Sequence, residues 1–385
     1  MLIWIVTDSK YPDNSALSER IQRVAQIAIL KGNEVCVFSR SQQDFGLQEG
    51  VPFYSMRGGS NNRIFQVLNY EFAFQKKMLR AIEESRPDIL IVYTIPTNLM
   101  RKLIALKEQS GYQLYCDCVE WYSKKQFTRF SVGMLRYRMR DYWMRELLPQ
   151  NVRVIAISQY LTEYFIKMQT PCFYLPAVCN VEAIACHKQL NRQRKVIVYA
   201  GSPGKKDLFE PIMKAIKLLS DVERKKLTLR IIGASKEQIA KNANMPLCEL
   251  EKMADVLVFV PRMSHEGVME QLTKAHFVIL LRPAHMRYAK AGFPTKVPES
   301  LATGTPVICN LTSDLGMFLR DGENALIADD EGVESVLTVL RRAINVDEEQ
   351  MIQMCAQARA TAEEKFDYRL YAEGMGQFIN HEHEA

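Results

Sequence analysis

A chain of 385 residues is longer than one hydrophobic core usually supports, so two domains of about 150–200 residues each are expected. With 48% hydrophobic and 24% charged residues the composition excludes a disordered chain, and a net charge of +6 matters only where it concentrates. Nine scattered cysteines, odd in number and without a C-x-x-C pair, argue against a disulfide framework or a zinc site.

The opening run Leu2–Val6 is apolar but too short for a secretory signal or a membrane span. It reads as a first buried strand, and the expected location is the cytoplasm. Loop chemistry at Tyr11-Pro12-Asp13-Asn14 leads to Leu17, Ile21, Val24 and Ala28 at helical spacing. Glu34–Phe38 predicts a second strand and about Ile64–Ser85 a long helix. Ile89–Val92, a helix near Asn98–Ser110, then Tyr112–Cys118 and Val152–Ile157 continue the alternation. Short runs buried on both faces, separated by helices, indicate a parallel sheet covered on both sides.

The same grammar restarts after the polar stretch Lys188–Arg194. Lys195–Ala200, Leu227–Ile232, Val256–Val260, Phe277–Leu281 and Pro306–Cys309 are strands, each separated by helical or turn sequence. The fold class is therefore α/β, with two doubly wound Rossmann-like units expected at 1–190 and 191–365. A final helix near 366–380, with Tyr368, Tyr371, Met375 and Phe378 at helical spacing, completes the chain, and the tail 381–385 reads as frayed.

Open parallel sheets bind ligands beyond the carboxyl ends of their strands. After Ala200 stands Gly201-Ser202-Pro203-Gly204-Lys205-Lys206-Asp207, a glycine-containing turn with two lysines that suits a phosphate. Its glycine spacing is neither a dinucleotide fingerprint nor a P-loop. After the Phe277–Leu281 strand come Arg282 and then Ala291-Gly292-Phe293-Pro294-Thr295-Lys296-Val297-Pro298-Glu299. Pro298 suits the first turn of a short helix and Gly304 its end. Loop amides with Lys296 and one nearby carboxylate, Glu299, form a set that matches a nucleotide diphosphate and a ribose diol.

The stretch from Glu299 through Gly304 to Pro306-Val307-Ile308 resembles the donor-binding segment of the retaining GT-B glycosyltransferases of family 4, in their bacterial polysaccharide-assembly form. Ile155–Ser158, Leu175–Asn180 and Asp321–Leu326 look like further landmarks of that family. The resemblance implies two Rossmann-like domains facing each other across a cleft, an N-terminal acceptor side and a C-terminal donor side. The last helix would cross back to the first domain. It implies transfer of a hexose-type sugar, with retention, from a nucleotide-diphosphate sugar to a glycan or lipid-linked acceptor in cell-surface polysaccharide assembly. Glu299 would bind the ribose, and Gly201, Ser202, Lys206, Arg282, Gly292, Phe293, Pro294, Thr295 and Lys296 the rest of the donor. Lys206 would stabilise the departing diphosphate, with no metal or other cofactor. The family often carries a second glutamate eight residues earlier, contacting the hexose; here that position is Ala291. The alternatives are a non-catalytic nucleotide-sugar-binding scaffold and a GT-B nucleotide-sugar epimerase.

On the acceptor side, Ser9, Lys10, Asp13 and Asn14 follow one strand end. Asp117 and Glu120 follow another, as candidates to orient an acceptor hydroxyl or simply to cap and pair. Between Lys124 and Leu148 lie seven cations against Asp141 and Glu146, with Leu135, Met139, Trp143 and Leu147 at four-residue spacing. A basic helix with an aromatic face suits an anionic membrane surface, which would place the protein peripherally on the inner face of the membrane. The other reading is a helix packed on its own sheet. No recognised nucleic-acid motif accompanies the segment, so nucleic acid is not an expected partner.

Overall fold

The structure, a computed structural model, describes residues 1–380 except 14, 42, 57–62, 192 and 205, and only the backbone within 63–73. Asn14, Lys205 and the tail 381–385, singled out above, therefore lie outside the described residues. The chain divides into two compact units, Met1–Val178 with Tyr368–Ala385, and Cys179–Asp367.

Unit 1 begins β1 (Leu2–Thr7), α1 (Ala16–Leu30), β2 (Glu34–Ser39), β3 (Phe45–Gln48), β4 (Val51–Ser55), α2 (Arg63–Ser85) and β5 (Ile89–Tyr93). It continues α3 (Thr97–Ser110), β6 (Gln113–Cys118), α4 (Val132–Tyr142), β7 (Arg153–Ala156), α5 (Gln159–Lys167) and β8 (Cys172–Tyr174). The sheet order is β3-β4-β2-β1-β5-β6-β7-β8, parallel throughout except for β3 against β4. Strand β5 shows why the sheet lies inside: all five of its residues, Ile-Leu-Ile-Val-Tyr, are buried. On α1 the Ser15 side chain caps the Ser18 amide, and Ile21, Val24, Ala25 and Ala28 form the buried face.

Unit 2 runs β9 (Lys195–Ala200), α6 (Glu210–Leu218), α7 (Asp221–Lys225), β10 (Leu227–Ile232), α8 (Lys236–Asn242), α9 (Leu247–Glu251), β11 (Leu257–Val260) and α10 (His265–Thr273). Then come β12 (Phe277–Leu280), α11 (Arg287–Ala291), α12 (Lys296–Ala302), β13 (Val307–Asn310), α13 (Leu315–Phe318), β14 (Ala325–Ala328), α14 (Val333–Asn345) and α15 (Glu348–Lys365). Its six parallel strands are ordered β11-β10-β9-β12-β13-β14. The order reverses between β9 and β12, and that switch point is where such sheets open a crevice for ligands.

The chain passes out of unit 1 at Val178 rather than near residue 190, because 179–189 is bound to unit 2. Cys179 N–H donates to Phe366 O at 2.9 Å, and Lys188 Nζ donates to Leu272 O, Ala275 O and Thr305 Oγ1 at 2.9, 2.7 and 2.7 Å. Three acceptors satisfy all three ammonium protons. The chain returns to unit 1 at Tyr368, and α16 (Ala372–Asn380) packs on α1 through Lys31–Glu373 at 2.6 Å. Arg153 stacks 4.7 Å from the Phe378 ring and donates to Phe378 O at 2.9 Å.

Buried His276 ties the start of β9 to β12. Its Nδ1 accepts the Val196 N–H at 3.0 Å, so the ring is neutral there. Burial first, then Lys195 and Lys188, hold its pKa down at about 4. The unfolded chain binds a proton near pH 6.5 that the folded ring refuses, so stability falls as pH drops from 6.5 toward 4. The expected loss is roughly 3 kcal/mol across that window. A calorimetric pH series on His276→Asn should flatten it, and an unchanged acid profile in that variant would put the acid sensitivity elsewhere.

Candidate functional site

Two loops of unit 2 meet at the β9/β12 switch point. After β9, Gly201 adopts φ +133°, a conformation that favours glycine. A Cβ there would lie 3.2 Å from both Cε and Nζ of Lys296, so the missing side chain lets that lysine lie against the loop. Lys296 Nζ reaches Asp207 Oδ2 at 3.0 Å and stands 4.0 Å from the Tyr199 ring centroid. The Tyr199 hydroxyl donates to the same Asp207 oxygen at 2.6 Å. Burial alone would raise the Asp207 pKa, but the Lys296 ammonium, the Tyr199 hydroxyl and Arg282 together hold it below the usual carboxylate range. A lysine, a tyrosine and an aspartate thus lock the ends of β9 and α12 together.

Helix α12 explains which side chains reach solvent. Val297, Pro298, Ser300, Leu301 and Ala302 are buried, whereas Thr295, Lys296 and Glu299 are half-buried on the open side. Lys296 and Glu299, three apart, share that face. Gly304, φ +68°, ends the helix with its amide on Leu301 O at 2.9 Å. Glu299 Oε1 lies 3.3 Å from His265 Nε2, and His265 is the first residue of α10, after its Ser264 cap.

The loop before α12 is braced from below. Arg282 is buried, its Nη1 donates to Gly292 O at 3.3 Å, and its backbone exchanges bonds of 2.9 and 2.7 Å with the Asn310 amide. Phe293 is enclosed by Phe318 and Phe366, with centroids 5.8 and 5.9 Å away, and Pro294 is buried beside it. Arg282 and Phe293 therefore shape the Gly292–Thr295 loop from within the unit. Ala291, eight residues before Glu299, is fully buried at the end of α11.

Of the donor residues expected from sequence, Gly201, Arg282, Gly292, Phe293, Pro294, Thr295, Lys296 and Glu299 come together around β9, β12 and α12. Ser202 is exposed with its hydroxyl 3.5 Å from Gly233 O, and Lys206 is half-buried next to Asp207. The turn does not open directly onto a helix, because α6 begins only at Glu210 and carries that acid in its first turn. Its dipole is thus set back from Gly201. Tyr199, Asp207 and His265 were missed. Asp207 closes the very turn that drew attention, but nothing in a linear reading pairs it with Lys296 or His265 with Glu299.

Unit 1 assigns its candidates differently. Asp117 is buried at 2%, and its two oxygens receive Arg20 Nε and Nη2 at 3.0 and 2.9 Å. Both oxygens are committed to that ion pair, a structural role. Glu120 is half-buried and bonded to the Tyr122 hydroxyl, whose pKa is pushed up by burial and then by Glu120. Asp13 accepts the Ser15 amide at 3.1 Å, ahead of α1, while Lys10 is exposed. Among the described residues no group of three His, Cys, Asp or Glu side chains is placed to hold a metal ion.

Two six-to-eight-stranded, doubly wound units and a lysine–glutamate face at one switch point narrow the comparison. Residues 181–361 match the glycosyl transferases group 1 family. That group 1 match lies wholly within unit 2 and includes every donor-side residue discussed above. Among solved structures, sucrose-phosphate synthase from Thermosynechococcus elongatus is similar at a TM-score of 0.76 and 14% identity, over 100% of this chain and 99% of that one. HepE of Anabaena, in complex with UDP-glucose, gives 0.71 and 13%, over 99% and 100%. WaaG, a glycosyltransferase involved in lipopolysaccharide biosynthesis, gives 0.69 and 16%, over 98% and 99%. At such identities the likeness is one of fold, the two-unit α/β architecture called GT-B. Among curated proteins no sequence matches this chain.

Proposed function

We propose that the protein is a glycosyltransferase that takes a hexose-type sugar from a nucleotide-diphosphate sugar, with retention, and passes it to a glycan or lipid-linked acceptor in cell-surface polysaccharide assembly. The observation that carries the reading is the shared open face of Lys296 and Glu299 beside the Gly201 loop at the β9/β12 switch point. The group 1 match over the same residues supports it. In this reading Glu299 receives the ribose hydroxyls while Lys296, Lys206 and the amides of the Gly201 and Gly292–Thr295 loops face the diphosphate. As the glycosidic bond to the diphosphate breaks, negative charge grows on the leaving oxygen. Cations already fixed in place lower that barrier without reorganising. Asp207 and Tyr199 hold Lys296 in position, and Glu120 is the acceptor-side candidate of unit 1. No metal is required by this scheme.

The first test is a thermal-shift screen with UDP-, GDP-, ADP- and TDP-sugars. UDP-glucose leads because HepE, a fold neighbour, was solved with it. Stabilisation by one nucleotide class, followed by release of the matching diphosphate, is the expected result. Glu299→Ala should weaken donor binding by roughly 1.5–3 kcal/mol, the range for a hydrogen bond to a charged group. Unchanged affinity in that variant removes Glu299 from the site. A second reading, a nucleotide-sugar-binding protein without transfer, rests on Ala291, which stands where the resembling family often carries a hexose-contacting glutamate. Binding without diphosphate release under any acceptor mixture would select it.

A further inference from the structure

The basic segment of unit 1 does not pack as one helix face. Leu135 and Met139 are 58% and 42% exposed, whereas Trp143 and Leu147, next in the same spacing, are buried. The cause is local: Trp143–Leu147 winds as a π-helix, whose wider turn moves the later side chains to a different face. Trp143 is then anchored by its Nε1 on Thr97 Oγ1 at 2.8 Å. The second half of the segment is therefore packed into unit 1, while the first half is not.

What remains outside is an apolar stripe. Val132, Leu135 and Met139 lie at i, i+3 and i+7 along α4, and Phe130 just ahead of it is 91% exposed. Five exposed cations surround them: Lys124, Lys125, Arg129, Arg136 and Arg138. None of the five is in an ion pair within the described residues, while the one nearby acid on the helix, Asp141, is already taken by Arg145 and Trp121 at 2.9 and 2.8 Å. A cavity of about 850 Å³ is lined by Phe130, Val132 and Leu135 together with half-buried Phe127 and buried Met134, and by four of the five cations, all but Arg136.

We infer that this face docks on an anionic lipid bilayer, with Phe130, Val132 and Leu135 entering the headgroup–acyl boundary and the five cations meeting lipid phosphates. A soluble polyanion accounts for the cations but not for a solvent-facing apolar stripe. An apolar protein partner accounts for the stripe but must supply acids for five charges. An anionic bilayer meets both in one plane. No helix among the described residues is long and apolar enough to cross a membrane, so the contact is interfacial. The inference is independent of the donor site.

The test is co-sedimentation of the full chain with phosphatidylcholine vesicles, with and without phosphatidylglycerol, at low and high salt. Binding is expected only with phosphatidylglycerol, and weakened by salt. Phe130→Ser with Leu135→Ser should lower the bound fraction roughly tenfold or more at low salt, given the apolar area withdrawn. Lys124→Glu with Lys125→Glu should abolish the preference for anionic vesicles. All four positions are exposed, so melting temperatures should stay put, and the lipid and salt dependence of the unaltered protein needs no variant. Failure to bind anionic vesicles at low salt overturns the inference. So does binding that the apolar pair leaves intact and that heparin matches, which would mark a polyanion surface.

Discussion

Asp117→Ala is expected to destabilise unit 1 by about 3–5 kcal/mol, the largest stability effect of any single change considered. The reason is what it leaves behind. Arg20 is 4% exposed, and its guanidinium gives two bonds to Asp117 and two more to the carbonyls of Leu175 and Pro176, at 2.9 and 2.5 Å. Those four bonds join α1, β6 and the segment after β8. Without the carboxylate a buried cation keeps its desolvation cost and loses its counter-charge. Removing both partners, as Arg20→Met with Asp117→Leu, should restore only part of the loss: the unpaired buried charge is gone, but the carbonyls of Leu175 and Pro176 still lose their donor. All three tryptophans, Trp4, Trp121 and Trp143, lie in unit 1, so their fluorescence during urea unfolding follows this unit alone. A loss below about 1 kcal/mol together with abolished turnover would return Asp117 to the catalytic side of the ledger.

Much of the architecture was legible because a doubly wound sheet writes itself as short, fully apolar runs between helices. Ile89–Tyr93 and Phe277–Leu280 carry that signal without ambiguity. The strands that escaped are those where the signal is absent. Strand β3 is an edge strand with Phe45 and Leu47 exposed at 60% and 68%, its partner β4 contains Pro52 and buries only Val51 and Phe53, and β8 is three residues long and nowhere fully buried. Strand β14 hid behind the turn at Gly322, φ +80°, where Asp321–Asn324 reads as loop. The candidate site was legible where the backbone speaks, through Gly201, the Gly292–Thr295 loop and Gly304. It was illegible where side chains from distant segments pair. Lys296 meets Asp207 across 89 positions and Glu299 meets His265 across 34, distances over which spacing carries no information. Asp117 shows the converse: a carboxylate after a strand end looks functional until Arg20, 97 residues away, is seen to occupy it.

Lys296→Met should lower turnover by about 10²–10³-fold, the scale for removing one preorganised group that stabilises transition-state charge. The variant also strips Asp207 of its ammonium partner. That side chain is only 14% exposed, so a drop in stability will accompany the drop in rate and obscure its meaning. A second change separates the two. Lys296→Met with Asp207→Asn removes the orphaned charge while the carboxamide still accepts from the Tyr199 hydroxyl, now at 2.6 Å from the aspartate. Stability should return; turnover, read as diphosphate release from the nucleotide sugar chosen by thermal shift, should not. If both return, Lys296 serves only to tie α12 to the end of β9, and the charge facing the diphosphate must come from Lys206. If the rate stays low in a stable protein, the lysine acts on the reacting donor, and the Asp207–Tyr199 pair is the device that aims it.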